Sequence, residues 1–225
     1  MKLDTFTQSV LSNFSSINNS IVINKGNEIR TMSENKTILA EAKVTNSFDR
    51  TFGIYDLRKL IGCLGFGKNT EISLEDKYLE VISDSNKIRY MYTDPSRIVT
   101  PTKRLNLSSS DVSFVLLSDT LNDILRACNI LSVEDVSVTS EKENEVIITV
   151  LDKSNPTTNS AIFVIPATCN TKFQVYVKVS NLKIISDDYD VKISLKGISL
   201  FSSKNHDLLY YIAVESDSKT LTAQQ

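Results

Sequence analysis

The chain writes one plan twice. A helical pattern carrying Leu3, Val10, Leu11, Phe14 and Ile17 recurs about 114 residues later as Leu117, Ile124, Leu125, Cys128 and Leu131. In each copy the helix leads into short runs rich in β-branched residues, and neither copy holds a catalytic constellation. A helix-then-strands unit repeated at this spacing restricts the fold to two similar domains. With 225 residues, each half has the length of an ordinary domain.

In the first copy the spacing predicts a helix over 2–17, then strands over 20–25, 28–32, 37–44 and 50–55, separated by turn-formers such as Lys25-Gly26-Asn27. A short helix over 56–64 starts at a capping Asp56 and ends at Gly65 and Gly67. Strands over 70–74, 78–83 and 87–93 complete the half. Pro95, Pro101 and several Ser and Thr residues mark 94–110 as an extended connector, dividing a first domain (1–93) from a second (111–225). The second copy predicts a strand over 113–117 and a helix over 118–131 capped by Ser118 or Asp119. Strands follow over 135–141, 145–152, 160–166 and 172–177, then a short helix over 180–186 and strands over 189–196, 197–202 and 208–215.

The expected class is therefore α+β: two domains of antiparallel sheet, each covered on one face by two helices. Such sheets have edges that need partners. The runs containing Lys87, Ile88, Tyr90 and Tyr92, and Ala161, Ile162 and Phe163, are candidate edges for pairing between subunits. Head-to-tail pairing of two different edges closes a ring.

Charge narrows the function. With 27 acidic and 25 basic residues the net charge is −2, so contact with nucleic acid requires local segregation of Lys and Arg. Cys63, Cys128 and Cys169 are odd in number and widely spaced, which fits reduced core thiols, not a disulfide framework. The absence of an apolar leader or a long apolar run leads us to expect a cytoplasmic protein without a membrane partner.

Three signals invite an enzymatic reading, and each is weak. Gly62-Cys63-Leu64-Gly65-Phe66-Gly67-Lys68-Asn69 has phosphate-loop spacing, but Asn69 stands where Ser or Thr would hold magnesium, and the expected order is helix-loop-strand instead of strand-loop-helix. His206 is the only histidine and lies in a polar turn, which argues against a histidine metal cluster or a histidine-based nucleophile pair. Asp187-Asp188 and Glu141, Glu143 and Glu145 are acidic clusters better explained by turns and solvated strand faces. No cofactor and no metal are expected.

Phe52-Gly53-Ile54-Tyr55-Asp56-Leu57, Thr93-Asp94-Pro95-Ser96 with Val99 and Pro101, and Tyr210-Tyr211-Ile212-Ala213-Val214-Glu215-Ser216-Asp217-Ser218 resemble, in that order, segments of the sliding clamps of the proliferating cell nuclear antigen fold. Among these the clamps of myovirus-type tailed bacteriophages are most similar. The resemblance implies a homotrimeric ring of six domains that encircles duplex DNA without sequence preference and tethers a polymerase in the cytoplasm of an infected bacterium. It also implies a clamp loader as partner, with the late transcription machinery as a further candidate. Inward cations by helix-face position are Lys2, Arg58, Lys59, Arg126, Lys178 and Lys183, diluted by Asp4, Asp119 and Asp123. A partner-peptide pocket under the connector would draw on Met32, Val99, Leu105, Leu107, Tyr211 and Ala213. Leu105 and Leu107 read equally well as plain core. Two other readings stay open: a monomeric DNA-binding processivity factor, and a β-rich viral structural or assembly protein.

Overall fold

Local capping chemistry sets where the first elements begin. In the computed structural model, Asp4 accepts hydrogen bonds from the Thr7 amide and the Thr7 hydroxyl, each at 2.8 Å, so helix α1 runs Thr5–Ile17 and Lys2 lies before it. The structure describes residues 1–84, 86–107, 109–142, 144–169, 172–217 and the backbone of 219–220; Ser85, Ser108, Glu143, Asn170, Thr171, Ser218 and 221–225 lie outside this set. The chain divides into two units, Met1–Arg104 and Leu105–Gln225.

In the first unit α1 buries Val10, Leu11, Phe14 and Ile17. Strands β1 (Ile21–Ile23), β2 (Gly26–Met32), β3 (Ile38–Phe48) and β4 (Phe52–Ile54) form a sheet in the order β3-β2-β1-β4. Helix α2 (Leu57–Leu64) is capped by Asp56, which accepts the Lys59 amide at 3.0 Å, and closes at Gly65, whose amide bonds Ile61 O at 3.1 Å. A second sheet of β5 (Glu71–Leu74), β6 (Tyr78–Ser83) and β7 (Asn86–Met91) follows. Alternation along β6 turns Leu79 and Val81 inward, the period-2 signature of a half-buried strand. Helix-loop-strand order around Gly62–Asn69 is thus observed, which removes the geometry a phosphate loop needs.

The second unit repeats the plan. Strand β8 (Val112–Leu116) leads into helix α3 (Ser118–Leu131), then β9 (Asp135–Ser140), β10 (Glu145–Leu151), β11 (Ala161–Cys169) and β12 (Phe173–Lys178), ordered β11-β10-β9-β12 as in the first unit. Strands β13 (Tyr189–Ser194), β14 (Ile198–Ser203) and β15 (Leu208–Ala213) match β5-β6-β7, and a short β16 (Lys219–Thr220) pairs with β12. The units differ in how their two sheets join. In the second, β8 bridges β11 and β13 by main-chain pairing on both sides. In the first, residues 1–4 play that part with little backbone: Met1 and Ile72 exchange hydrogen bonds at 2.6 and 2.8 Å, while the Asn46 side chain on β3 bonds the Lys2 carbonyl and the Asp4 amide, each at 2.9 Å.

Two sequence expectations need correction. The fourth helix is absent: 180–186 carries only a single 3₁₀ turn, Val179–Asn181. Here tertiary bonds replace helical ones, because the Ile185 amide donates to Tyr210 Oη at 3.2 Å and its carbonyl accepts from Tyr189 Oη at 2.6 Å. Leu182 and Ile184 anchor the segment in the core. The cap of α3 is also not Ser118 or Asp119. Leu117 occupies the cap position without a side-chain bond, and the Ser118 amide is instead met by Asp188 Oδ1 at 2.8 Å, 70 residues away.

Candidate nucleic-acid and assembly interfaces

Three groups of predicted site residues can be placed. The cations fall into distinct states. Arg58 on α2 and Arg126 on α3 are exposed, and neither enters an ion pair among the described residues. Asp119, Asp123 and Arg126 follow the i, i+4, i+7 spacing of one helix face, and all three are exposed, so the carboxylates dilute the field there. Lys59 bonds Asp56 at 3.2 Å; the Lys59 amide and side chain, against a smaller opposing effect of burial, hold the Asp56 carboxyl below the usual carboxylate range. Lys2 is exposed ahead of α1, and Lys183 is exposed in irregular chain where a helix was expected. Lys178 ends strand β12 and lies 2.7 Å from the buried Asp135 carboxylate, so its charge is committed to a partner.

The strand edges form the second group. Strand β7 pairs with β6 alone, leaving its other edge open among the described residues. Strand β11 pairs with β10 from Ala161 to Pro166, but with β8 only over Ala167–Cys169. Its first six residues therefore have one open edge among the described residues of the unit. Pro166 costs no ladder bond where the strand passes from one partner to the next. On this stretch Ile162 and Val164 are 66% and 63% exposed, while Phe163 is half-buried on the opposite face. In β7, Lys87 is exposed, Ile88 is half-buried, and Tyr90 donates its hydroxyl to the Asp56 carbonyl at 2.7 Å, tying the strand to the start of α2. Tyr92 lies beyond the strand, stacked on Phe52 at a centroid distance of 4.9 Å, and burial pushes its hydroxyl up to about 12.

The connector group is apolar. Val99 and Leu105 are 44% and 40% exposed, whereas Leu107 is half-buried. Tyr211 is buried and donates its hydroxyl to the Leu105 carbonyl at 2.8 Å, holding the connector's far end; Ala213 is half-buried on the same strand. Met32 is half-buried at the end of β2, its carbonyl accepting the Asn18 side-chain amide at 3.0 Å.

The polar cluster around His206 has a structural arrangement. Asp187, 7% exposed, receives Ser203 Oγ, the Asn205 amide group and His206 Nδ1, the last at 3.1 Å. Ser203 bonds the carboxylate and not the imidazole, so it is not arranged as a nucleophile with a histidine base. No group of three or more metal-type side chains occurs among the described residues. Two residues that the sequence reading missed organise these regions: Asp188, which caps α3, and Arg30, which bonds the connector.

The model of the DNA polymerase processivity factor family matches residues 2–100, and that of the gp45 sliding clamp, C terminal, matches residues 113–216. The chain belongs to the sliding-clamp family of DNA polymerase processivity factors. This clamp is 29% identical over 222 residues to the sliding clamp of Vibrio phage KVP40, covering 96% of this chain and 100% of that one. It is 25% identical to the sliding clamp of Escherichia phage RB69 and 26% identical to that of Enterobacteria phage T4, with 97% of this chain and 98% of the relative covered in each case. Among solved structures it superimposes on the proliferating cellular nuclear antigen of Entamoeba histolytica with a TM-score of 0.69 at 13% identity, covering 92% of this chain and 94% of the other. The PCNA2–PCNA3 complex of Sulfolobus tokodaii gives 0.72 at 11% identity, with 93% and 96% covered. At those identities the likeness establishes the DNA-clamp fold, as the resemblance of the three segments implied. No helix among the described residues is long and apolar enough to cross a membrane.

Proposed function

We propose that three copies of this clamp close head to tail into a six-domain ring around duplex DNA, in the cytoplasm of an infected bacterium, and tether the replicative polymerase to its template without catalysis of their own. The observation that carries this reading is the presence of two different open edges, β7 in one unit and Ala161–Pro166 of β11 in the other. Edges that differ can pair heterologously and close a ring. Lys87 and Arg89 on β7 disfavour pairing of that edge with its own copy, while the Ile162 and Val164 face of β11 carries no cation to repel it.

Topological linkage removes the need for tight binding, so a few sequence-blind cations suffice; Arg58, Arg126 and Lys2 are the first candidates, Lys183 is a further one by its exposure, and Lys59 and Lys178 each share their charge with a carboxylate. Polymerase and clamp loader, and the late transcription machinery, dock through apolar anchors against the connector's exposed side chains, Val99 and Leu105 foremost. Sedimentation at micromolar concentration should return three times the chain mass. A loaded ring should stay on closed circular DNA and run off linear DNA. A strict monomer in the presence of DNA and loader, or equal release from circles and linear duplexes, overturns the proposal.

A further inference from the structure

We propose that Arg30 positions the interdomain connector, presenting its apolar side chains to the polymerase; this rests on the tethering function proposed above. Arg30 on β2 stands directly opposite Glu41 on β3, and its Nε and Nη2 both donate to Glu41 Oε1, at 2.8 and 2.5 Å. The same guanidinium reaches two main-chain carbonyls of the connector: Nη1 donates to Pro101 O at 3.4 Å and Nη2 to Lys103 O at 2.8 Å. Two residues earlier on the same face of β2, Glu28 receives Arg104 Nη2 at 2.8 and 2.5 Å. The Arg30 and Glu41 side chains are only 16% and 10% exposed, so this pair is shielded from salt, whereas Arg104 at 71% is not.

The chemistry requires a guanidinium. The connector has no helix or strand between Ile98 and Leu107, so its carbonyls have no ladder to bond. A planar fork with five donors can serve a carboxylate and two carbonyls at once, and an ammonium group cannot reproduce that geometry. The carbonyls held at 101 and 103 are flanked by Val99 and Leu105, the exposed apolar side chains of the segment. Holding the chain between them fixes that presentation before the partner arrives. A partner meeting an untethered connector must order it on binding, and about tenfold in affinity is the scale of one or two such ordered side chains.

The test uses the intact clamp, its cognate polymerase, and two variants. Arg30→Lys keeps the charge opposite Glu41 but loses the fork, and the double variant Arg30→Met with Glu41→Leu removes both charges together and leaves neither unpaired. Amide exchange at 102–105 should accelerate in both variants, polymerase affinity should fall about tenfold, and trimer mass should be unchanged. Unaltered exchange in the connector overturns the tether. Faster exchange with wild-type affinity for polymerase overturns its role in docking. Wild-type clamp that fails to retain polymerase overturns the tethering function itself, a result distinct from either, and the docking role falls with it.

Discussion

Replacing Asp188 with alanine should shorten or loosen α3 from a distance of 70 residues in sequence. The bond to the Ser118 amide, at 2.8 Å, is the side-chain contact at the helix start, because the cap residue Leu117 supplies none. Loss of a capping oxygen costs about 1 kcal/mol, and loss of a negative charge at the positive end of the helix adds about 0.3–1 kcal/mol. Asp188→Ala should therefore destabilise the clamp by about 1–2 kcal/mol, whereas Asp188→Asn, which keeps an oxygen, should lose only the smaller charge contribution. In a unit of this size that is a fall in Tm of roughly 4–8 °C. The main-chain bonds of the same residue, its amide to Asp187 Oδ1 and its carbonyl from the Lys204 amide, survive both changes. Calorimetry at fixed protein concentration, so that subunit association does not move the transition, reads the difference. Ser118→Ala is the decisive control, expected within about 0.5 kcal/mol of wild type because that side chain caps nothing. If Ser118→Ala costs as much as Asp188→Ala, the cap is local after all and the reasoning fails.

Gly53→Ala should destabilise the first unit by about 1–3 kcal/mol, since a Cβ there would lie 2.6 Å from the Thr93 carbonyl oxygen; a denaturation midpoint equal to wild type would refute the close approach. Burial raises the Asp187 pKa, but hydrogen bonds from Ser203, Asn205 and His206 outweigh it and leave the carboxyl lowered. A depressed folded value gives stability that is present above the ordinary aspartate range and is lost as pH falls through the folded value, so Asp187→Asn should flatten the acid limb of a stability–pH curve below about pH 4; an unchanged limb would count against it. Of the three cysteines, half-buried Cys63 should be modified first by a thiol reagent in the native protein, because Cys128 and Cys169 are buried and burial raises the Cys128 pKa; mass mapping that finds Cys128 labelled first contradicts this.

Elements whose stop and start signals are local were legible without a structure. Helix α2 is an example: Asp56 before it and Gly65 after it are adjacent to the turns they close, and its observed span, Leu57–Leu64, begins one residue after the predicted start. The Tyr78–Ser83 strand was likewise readable from its alternation. The predicted helix over 180–186 failed because its apolar spacing, Leu182 with Ile184 and Ile185, is also what a core-facing irregular segment shows. Only the folded chain brings Tyr189 and Tyr210 to the Ile185 backbone. For the candidate sites, residue type nominated Arg58, Arg126 and Lys178 alike; the first two are exposed, whereas Lys178 faces a buried carboxylate that lies 43 positions earlier in the chain, Asp135.

The duplication and the antiparallel class are properties of residue order and period, and the sequence by itself determined them. Which edges stay open, which cations stay unpaired, and which side chains hold the connector were decided only by tertiary structure. The physical reason is range. Periodicity and turn chemistry act over a few residues, whereas the bond from Asp188 to α3, the Arg30 fork on residues 101 and 103, and the register that leaves Ala161–Pro166 half-paired each join positions that only the finished fold brings within hydrogen-bonding distance.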